Sequence, residues 1–449
     1  MSSPLPSKSP ARLSLFKLAG PTIVGNLLLS VVHLAAIRIV AALGSDAVAA
    51  VIAADRIYMA VQLIVFSITA GTTAMVAHAW GGNKPEEADR VVKLSAVVTL
   101  IASASLCLVI PWLARPLVGI FGLQGDMLDQ SALYLTVLVF FNIFFSFLAV
   151  ISAALRAAGD AMTPVWVAAI GNVINIALAY ALVYGVGIIP ALGILGAAIA
   201  AGLSYALVAI IFYLMWRNQR LLLKPLRQRF WESARLRKLI RIALPAGIEQ
   251  FVFNVSIIAF MWVVSLYGTE AFTAYGIGVN VLSISIVIGM GFAIATATMT
   301  GQNLGAGQPD EAEQAAWRNL KISFATMALI GLVLGVNARV IGSFFINDAL
   351  VLDYLVALTI MVAVVQPMMS IEFTLGGALR GAGDTRSPAR IMATGFLLGR
   401  VILTAVFYWL ELSVHWIYAA LIADYIIKSA MYMHVFRKGN WKTAYNGGP

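Results

Sequence analysis

Three carboxylates stand where charge is expensive. Glu249, Glu372 and Asp424 each interrupt a long apolar run. An ionisable group inside a hydrocarbon-length segment marks a functional site or a structural ion pair. A carboxylate in low dielectric can exchange a proton near neutral pH or pair with a cationic ligand. Lys428, four residues after Asp424, is a ready structural partner. A second charged set lies near the start of the chain: His33, Arg38, Asp55 and Arg56. There, an Arg38–Asp55 pair and a proton-carrying His33 are one reading. An ion pair close to a membrane interface, with a polar His facing a cleft, is the other and the favoured one. Four histidines scattered at 33, 78, 415 and 434, with the single Cys107, make no metal cluster. They also supply no converging catalytic group of the kind a membrane enzyme needs.

Long helices must position these groups. Of 449 residues, 61% are hydrophobic and only 11% charged, too few to cover a water-soluble surface. Charge-free stretches such as VVTLIASASLCLVIPWLA and LTVLVFFNIFFSFLAVISAAL are long enough to span a bilayer as helices. Twelve spans are predicted, near 15–42, 48–79, 91–121, 131–157, 164–186, 190–216, 239–266, 272–303, 316–345, 351–379, 387–410 and 414–436. The implied organisation is an N-terminal tail (1–14), an N-lobe (15–216), a basic linker (217–238), a C-lobe (239–437) and a C-terminal tail (438–449).

The two lobes are copies. ALRAAGDAMTP at 154–164 returns as ALRGAGDTRSP at 378–388, with seven of eleven positions identical. At the same offset of 224, Pro21 matches Pro245, Gly44 matches Gly268 and Pro85 matches Pro309. An even number of spans per copy gives parallel repeats related by an axis along the membrane normal, a transporter architecture. Within the repeated stretch, Arg156 and Arg380 suit helix C-termini, Gly159 and Gly383 a sharp exit, and Thr163-Pro164 and Ser387-Pro388 a helix start. Asp160 and Asp384 belong to the same turns, so the motif reads as structural rather than as part of a transport site.

The net charge of +10 is concentrated in the linker, with Arg217, Arg220, Lys224, Arg227, Arg229, Arg235, Arg237 and Lys238. That pattern orients a membrane protein, placing the linker and both termini in the cytoplasm, and does not call for nucleic acid. No GxxxxGK[ST] motif is present, so no P-loop ATPase drives the machine. A channel would not require duplicated halves.

The chain resembles the multidrug and toxic compound extrusion (MATE) family. The resemblance rests on LGSDAVAAV, GTTAMVAHAWGGNKPEEADR, LRAAGD, GTEAF, GQNLGAGQPDEA and LRGAGDT, in order and in both halves. It implies an all-α fold of twelve transmembrane helices in two pseudo-symmetric six-helix bundles around a central cleft. It also implies a multi-pass protein of the bacterial inner membrane that exports amphipathic organic cations in exchange for H⁺ or Na⁺. No cofactor beyond that coupling ion is implied; the expected partners are the cationic substrates and the bilayer, with the protein a monomer. The family's N-lobe cation site does not transfer: Asn175 is present, but Ala36, Ala179 and Ala201 replace its other polar positions. Attention shifts to the C-lobe, where Gln250, Asn254, Asn280 and Gln366 are candidates to line the cleft or to bond across helices. Phe251, Phe253, Trp262, Tyr275, Met290, Met368 and Met369 are candidates for an adaptable wall. Glu249 and Glu372 align with Gly25 and Leu148 in the other half, so neither acid belongs to the shared scaffold. A lipid-linked oligosaccharide flippase is the alternative function, kept open by Arg38 and Arg56.

Overall fold

A computed structural model describes residues 14–187, 190–224 and 229–446. The N-terminal tail before Ser14 and Arg227 of the linker fall outside the described residues. The N-lobe comprises α1 (Leu15–Ala41), α2 (Ser45–Gly81), α3 (Pro85–Gly119), α4 (Gly125–Ala158), α5 (Met162–Tyr184) and α6 (Ile194–Arg217). The C-lobe comprises α7 (Ser233–Ser265), α8 (Thr269–Gly305), α9 (Pro309–Val336), the short α10 (Ala338–Phe345), α11 (Ala349–Gly381), α12 (Arg386–Trp409) and α13 (Val414–Lys438). Eleven of these helices are long and apolar enough to cross a membrane. The twelfth span, α13, falls short because Asp424 and Lys428 sit in its middle. The ninth expected span is divided: α9 ends at Val336 and α10 follows at a break around Asn337.

The duplication is visible in the backbone. Under the shift of 224, α2 and α8 coincide at both ends. Gly44 and Gly268 precede them with φ of 112° and 106°, a region that side-chain-bearing residues avoid. In the repeated turn, the helix caps differ from the prediction. Asp160 accepts the backbone N–H of Thr163 at 3.0 Å, and Asp384 accepts that of Ser387 at 3.0 Å. The acids therefore cap the helix starts, and Thr163 and Ser387 lie inside them.

Among the described residues, the core clusters shared by both lobes lie at one end. At the end that carries the linker, Leu15, Leu18 and Ala19 of α1 pack on Phe292, Ala295 and Met299 of α8. There Leu239 and Ile242 of α7 join the N-lobe core. Toward the opposite end, each core cluster draws on a single lobe. The bundle is thus closed at the linker end and parted at the other. Closure depends on glycine: a methyl group on Gly81 would meet the Gln302 backbone, and one on Gly305 the His78 backbone. Polar bonds cross the same seam. Ser67 donates to Ala243 O at 2.6 Å, Gln302 to Ala157 O at 2.7 Å, and Arg235 to both oxygens of Glu87 at 2.7 and 2.9 Å.

The C-terminal residues do not form a simple tail. Asn440–Asn446 make a 3-10 turn that folds back under the closed end. Trp441 is buried against Phe436, with ring centroids 4.7 Å apart. Tyr445 stacks on His78 of the N-lobe at 3.7 Å, with Lys238 of the C-lobe 3.1 Å from its ring centroid. Burial pushes the Tyr445 phenol up to about 12, so it stays neutral in this contact.

Candidate functional site

The three C-lobe acids fall into two ion-paired groups, Glu249 with Arg380, and Glu372 and Asp424 with Lys428 and Arg400. Glu249 Oε1 on α7 is 2.5 Å from Arg380 Nη1 on α11. Glu372, two turns earlier on α11, is 2.8 Å from Lys428 Nζ on α13. Lys428 also reaches Asp424 at 3.2 Å, and Asp424 holds Arg400 at 2.8 Å. The expected Asp424–Lys428 pair is present, though Lys428 is shared with Glu372. Three carboxylates thus face three cations, and apart from the partly exposed Arg380 all are buried. Such a balance is what permits charge in a low-dielectric interior. Two carboxylate oxygens are buried without a hydrogen-bond donor: Asp424 Oδ1, and Glu372 Oε2, which keeps only its ion-pair contact with Lys428 Nζ at 2.8 Å.

Local backbone features bring Arg400 to Asp424. Helix α12 widens into a π-helical segment over Phe396–Ile402, which carries Arg400 inward. Single π turns inside α-helices concentrate at functional sites. Gly399 lets this segment press on α13, because a methyl there would lie 2.5 Å from Asp424 Cα. The Arg400 guanidinium is also 5.8 Å from the Phe260 ring centroid.

Two predicted roles change. Arg380 was expected as a turn residue, but its side chain turns inward to Glu249, while the equivalent Arg156 has no ion pair among the described residues. The proposed Arg38–Asp55 pair does not form among the described residues. Both Arg38 and His33 are exposed on α1. Asp55 instead lies beside Tyr134 of α4. Below it, Tyr58 donates to Asn142 at 3.2 Å and Asn142 to Ser103 at 3.0 Å, and Ser103 bonds Ser146. The sequence reading missed this N-lobe polar chain; of the three alanine replacements, Ala201 packs on the cluster that holds Tyr58 and Tyr134, and Ala179 is buried.

The remaining candidates divide by what they touch. Asn254 and Asn280 bond back to Gln250 O and Gly276 O of their own helices, at 2.8 and 2.9 Å. Gln366 crosses from α11 to Ser285 of α8 at 2.6 Å, the interhelical role expected of such a group. Its Oε1 is buried without a donor. Tyr275 is buried against Phe260, whereas Met290, Phe251 and Trp262 are exposed. Asn175 is half-buried.

Chemically, the C-lobe groups hold carboxylates and cations in close, mutually compensating contact. A proton or another cation reaching these carboxylates would have to compete with Arg380, Lys428 or Arg400. Neutralising Asp424 would leave the buried Arg400 without its carboxylate, a state that costs several kcal/mol, whereas Lys428 has two carboxylate partners.

Known proteins share this architecture. The MatE family model matches residues 21–181 and 245–406, one match in each lobe. A probable multidrug resistance protein NorM of Thermotoga maritima is 28% identical over 438 residues, covering 96% of this chain and 93% of that protein. An FAD transporter of Shewanella oneidensis is 26% identical over 343 residues, 76% of each chain. Among solved structures, a MOP superfamily transporter from Pyrococcus furiosus, for which a binding pocket of reverse polarity is described, superposes with a TM-score of 0.88 at 19% identity over 96% of both chains. An outward-facing multidrug resistance transporter superposes at 0.87, with 20% identity and the same coverage. What these two structures share with this chain is the twelve-helix fold.

Proposed function

The chain belongs to the MatE family of membrane transporters, and on that premise we propose that it is a secondary active exporter of amphipathic organic cations. It works by alternating access in antiport with H⁺ or Na⁺. The observation that carries this reading is the set of three carboxylates balanced by Arg380, Lys428 and Arg400, held in two ion-paired groups in the C-lobe of a bundle closed at one end. Rocking of the two lobes about the closed seam would expose the same groups to either side in turn. Cargo and coupling ion exchange because the carboxylates cannot serve both at once. The basic linker supports an orientation in a bacterial inner membrane with the closed end and both termini on the cytoplasmic side, a reading in which this conformation opens outward. The Thermotoga relative is named a probable multidrug resistance protein, and the exposed aromatic and Met side chains suit varied cargo.

A second reading, transport of a phosphate-bearing anion, is favoured by Arg38 and Arg56, which are exposed and form no ion pair among the described residues. One experiment separates the two. Cells lacking their own efflux pumps, expressing this chain, are loaded with ethidium or with FAD, the cargo named for the Shewanella relative. Gradient-dependent ethidium efflux is expected. Loss of FAD alone from the cells would favour the second reading, and no movement of either would sink the exporter reading.

A further inference from the structure

At the closed end, a cavity of about 380 Å³ opens between α7, the start of α12, the end of α13 and the C-terminal turn. Four cations border it: Arg241, Arg386, Arg390 and Lys438. Its one carboxylate, Asp384, is already engaged, with Oδ1 accepting the Ser387 N–H and Oδ2 accepting the Ser387 hydroxyl at 2.7 Å. None of the four cations forms an ion pair among the described residues. A basic end that only orients a membrane protein needs no particular arrangement. Here the charges come from three helices and converge on one hollow. Arg386 and Arg390 stand four residues apart on α12, a spacing at which like charges repel unless an anion lies between them.

We propose that this cavity binds the anionic phosphodiester headgroup of a phospholipid from the adjacent leaflet. The shared chemistry is a phosphate held by guanidinium forks, which suit its geometry. The lipid source is favoured by position: the cavity lies where α12 begins and α13 ends, the depth of the headgroups. Basic pockets between helices on the cytoplasmic side recognise such headgroups. The placement of this end in the cytoplasm comes from the function proposed above, but the binding itself does not depend on transport. The cavity has a mechanical consequence. Trp441 forms part of its wall, and the same turn carries Tyr445, the residue stacked on the opposite lobe. A bound headgroup would hold the turn that clasps the lobes together.

The test is native mass spectrometry of the full chain in detergent, titrated with phosphatidylglycerol or phosphatidylcholine. Wild type should retain one phosphatidylglycerol in preference to phosphatidylcholine. The double variant Arg386→Gln/Arg390→Gln should weaken that retention about 25-fold, ~fivefold for each basic residue removed. Both side chains are exposed, so the variant should stay folded and monodisperse. The matched control Arg217→Gln/Arg220→Gln, exposed in the linker region, should retain the lipid as wild type does. Equal loss in both doubles would mean diffuse charge and overturn the site, as would equal retention of the two lipids. Displacement of the lipid by glycerol 3-phosphate at matched concentration would assign the cavity to a soluble phosphate ester and overturn the lipid source.

Discussion

Asp424→Asn isolates what the ion-paired groups contribute. Asp424 is 1% exposed and is the one carboxylate among the described residues within ion-pair distance of Arg400, itself 6% exposed. Removing its charge orphans a buried guanidinium, a change worth about 3–5 kcal/mol of stability. Glu372→Gln should be milder, about 1.5–3 kcal/mol, because Lys428 keeps Asp424 at 3.2 Å. Asp424→Asn with Arg400→Gln removes both charges and should recover most of the loss, since the cost comes from the unpaired ion rather than from the missing bond. The double-mutant cycle should then give a coupling of at least about 2 kcal/mol. Unfolding of the purified protein in mixed micelles, followed by far-UV circular dichroism as the denaturing detergent is raised, measures all four proteins. Asp424→Asn within about 0.5 kcal/mol of wild type, or a double variant no more stable than the single one, would refute the reasoning.

Two further outcomes concern the closed seam and can be read on a Cys107→Ser background by crosslinking Lys84→Cys to Gln308→Cys, exposed positions in the paired turns. Arg235→Gln removes both bonds to Glu87, so the lobes should part more often and crosslinking yield should fall several-fold. Gly305→Val places a branched side chain against the His78 backbone and should abolish closure, leaving the crosslink unformed. An unchanged yield in either would mean the seam is held elsewhere.

The fold was legible because its signals are local or repetitive. Hydropathy marks the spans, and the offset of 224 pairs Gly44 with Gly268 and Asp160 with Asp384 without any knowledge of packing. The three C-lobe acids were legible for the same reason: each breaks an apolar run. Their partners were harder. Arg380 looked like a turn residue because its copy, Arg156, is one, and Glu249 lies 131 residues away. Arg400 sits in FLLGRVIL and breaks an apolar run as plainly as the acids do. The rule that singled out the acids should have singled it out too. The π turn that aims it inward leaves no such mark. Arg38 and Asp55 failed to pair because proximity to one turn does not fix which way a side chain points on its helix. In the C-terminal segment, the signal was Trp441 and Tyr445, large rings in an otherwise polar stretch.

The central claim is that the C-lobe carboxylates link cargo movement to an ion gradient. Purified wild type, Glu249→Gln and Glu372→Gln, reconstituted in proteoliposomes, can each be challenged with an imposed pH or Na⁺ gradient while cargo flux is followed. The account predicts gradient-driven flux in wild type and its loss in both variants, with insertion and monodispersity unchanged. Full gradient-driven flux in both variants would contradict it and move the coupling site to the His33, Arg38 and Asp55 group of the N-lobe.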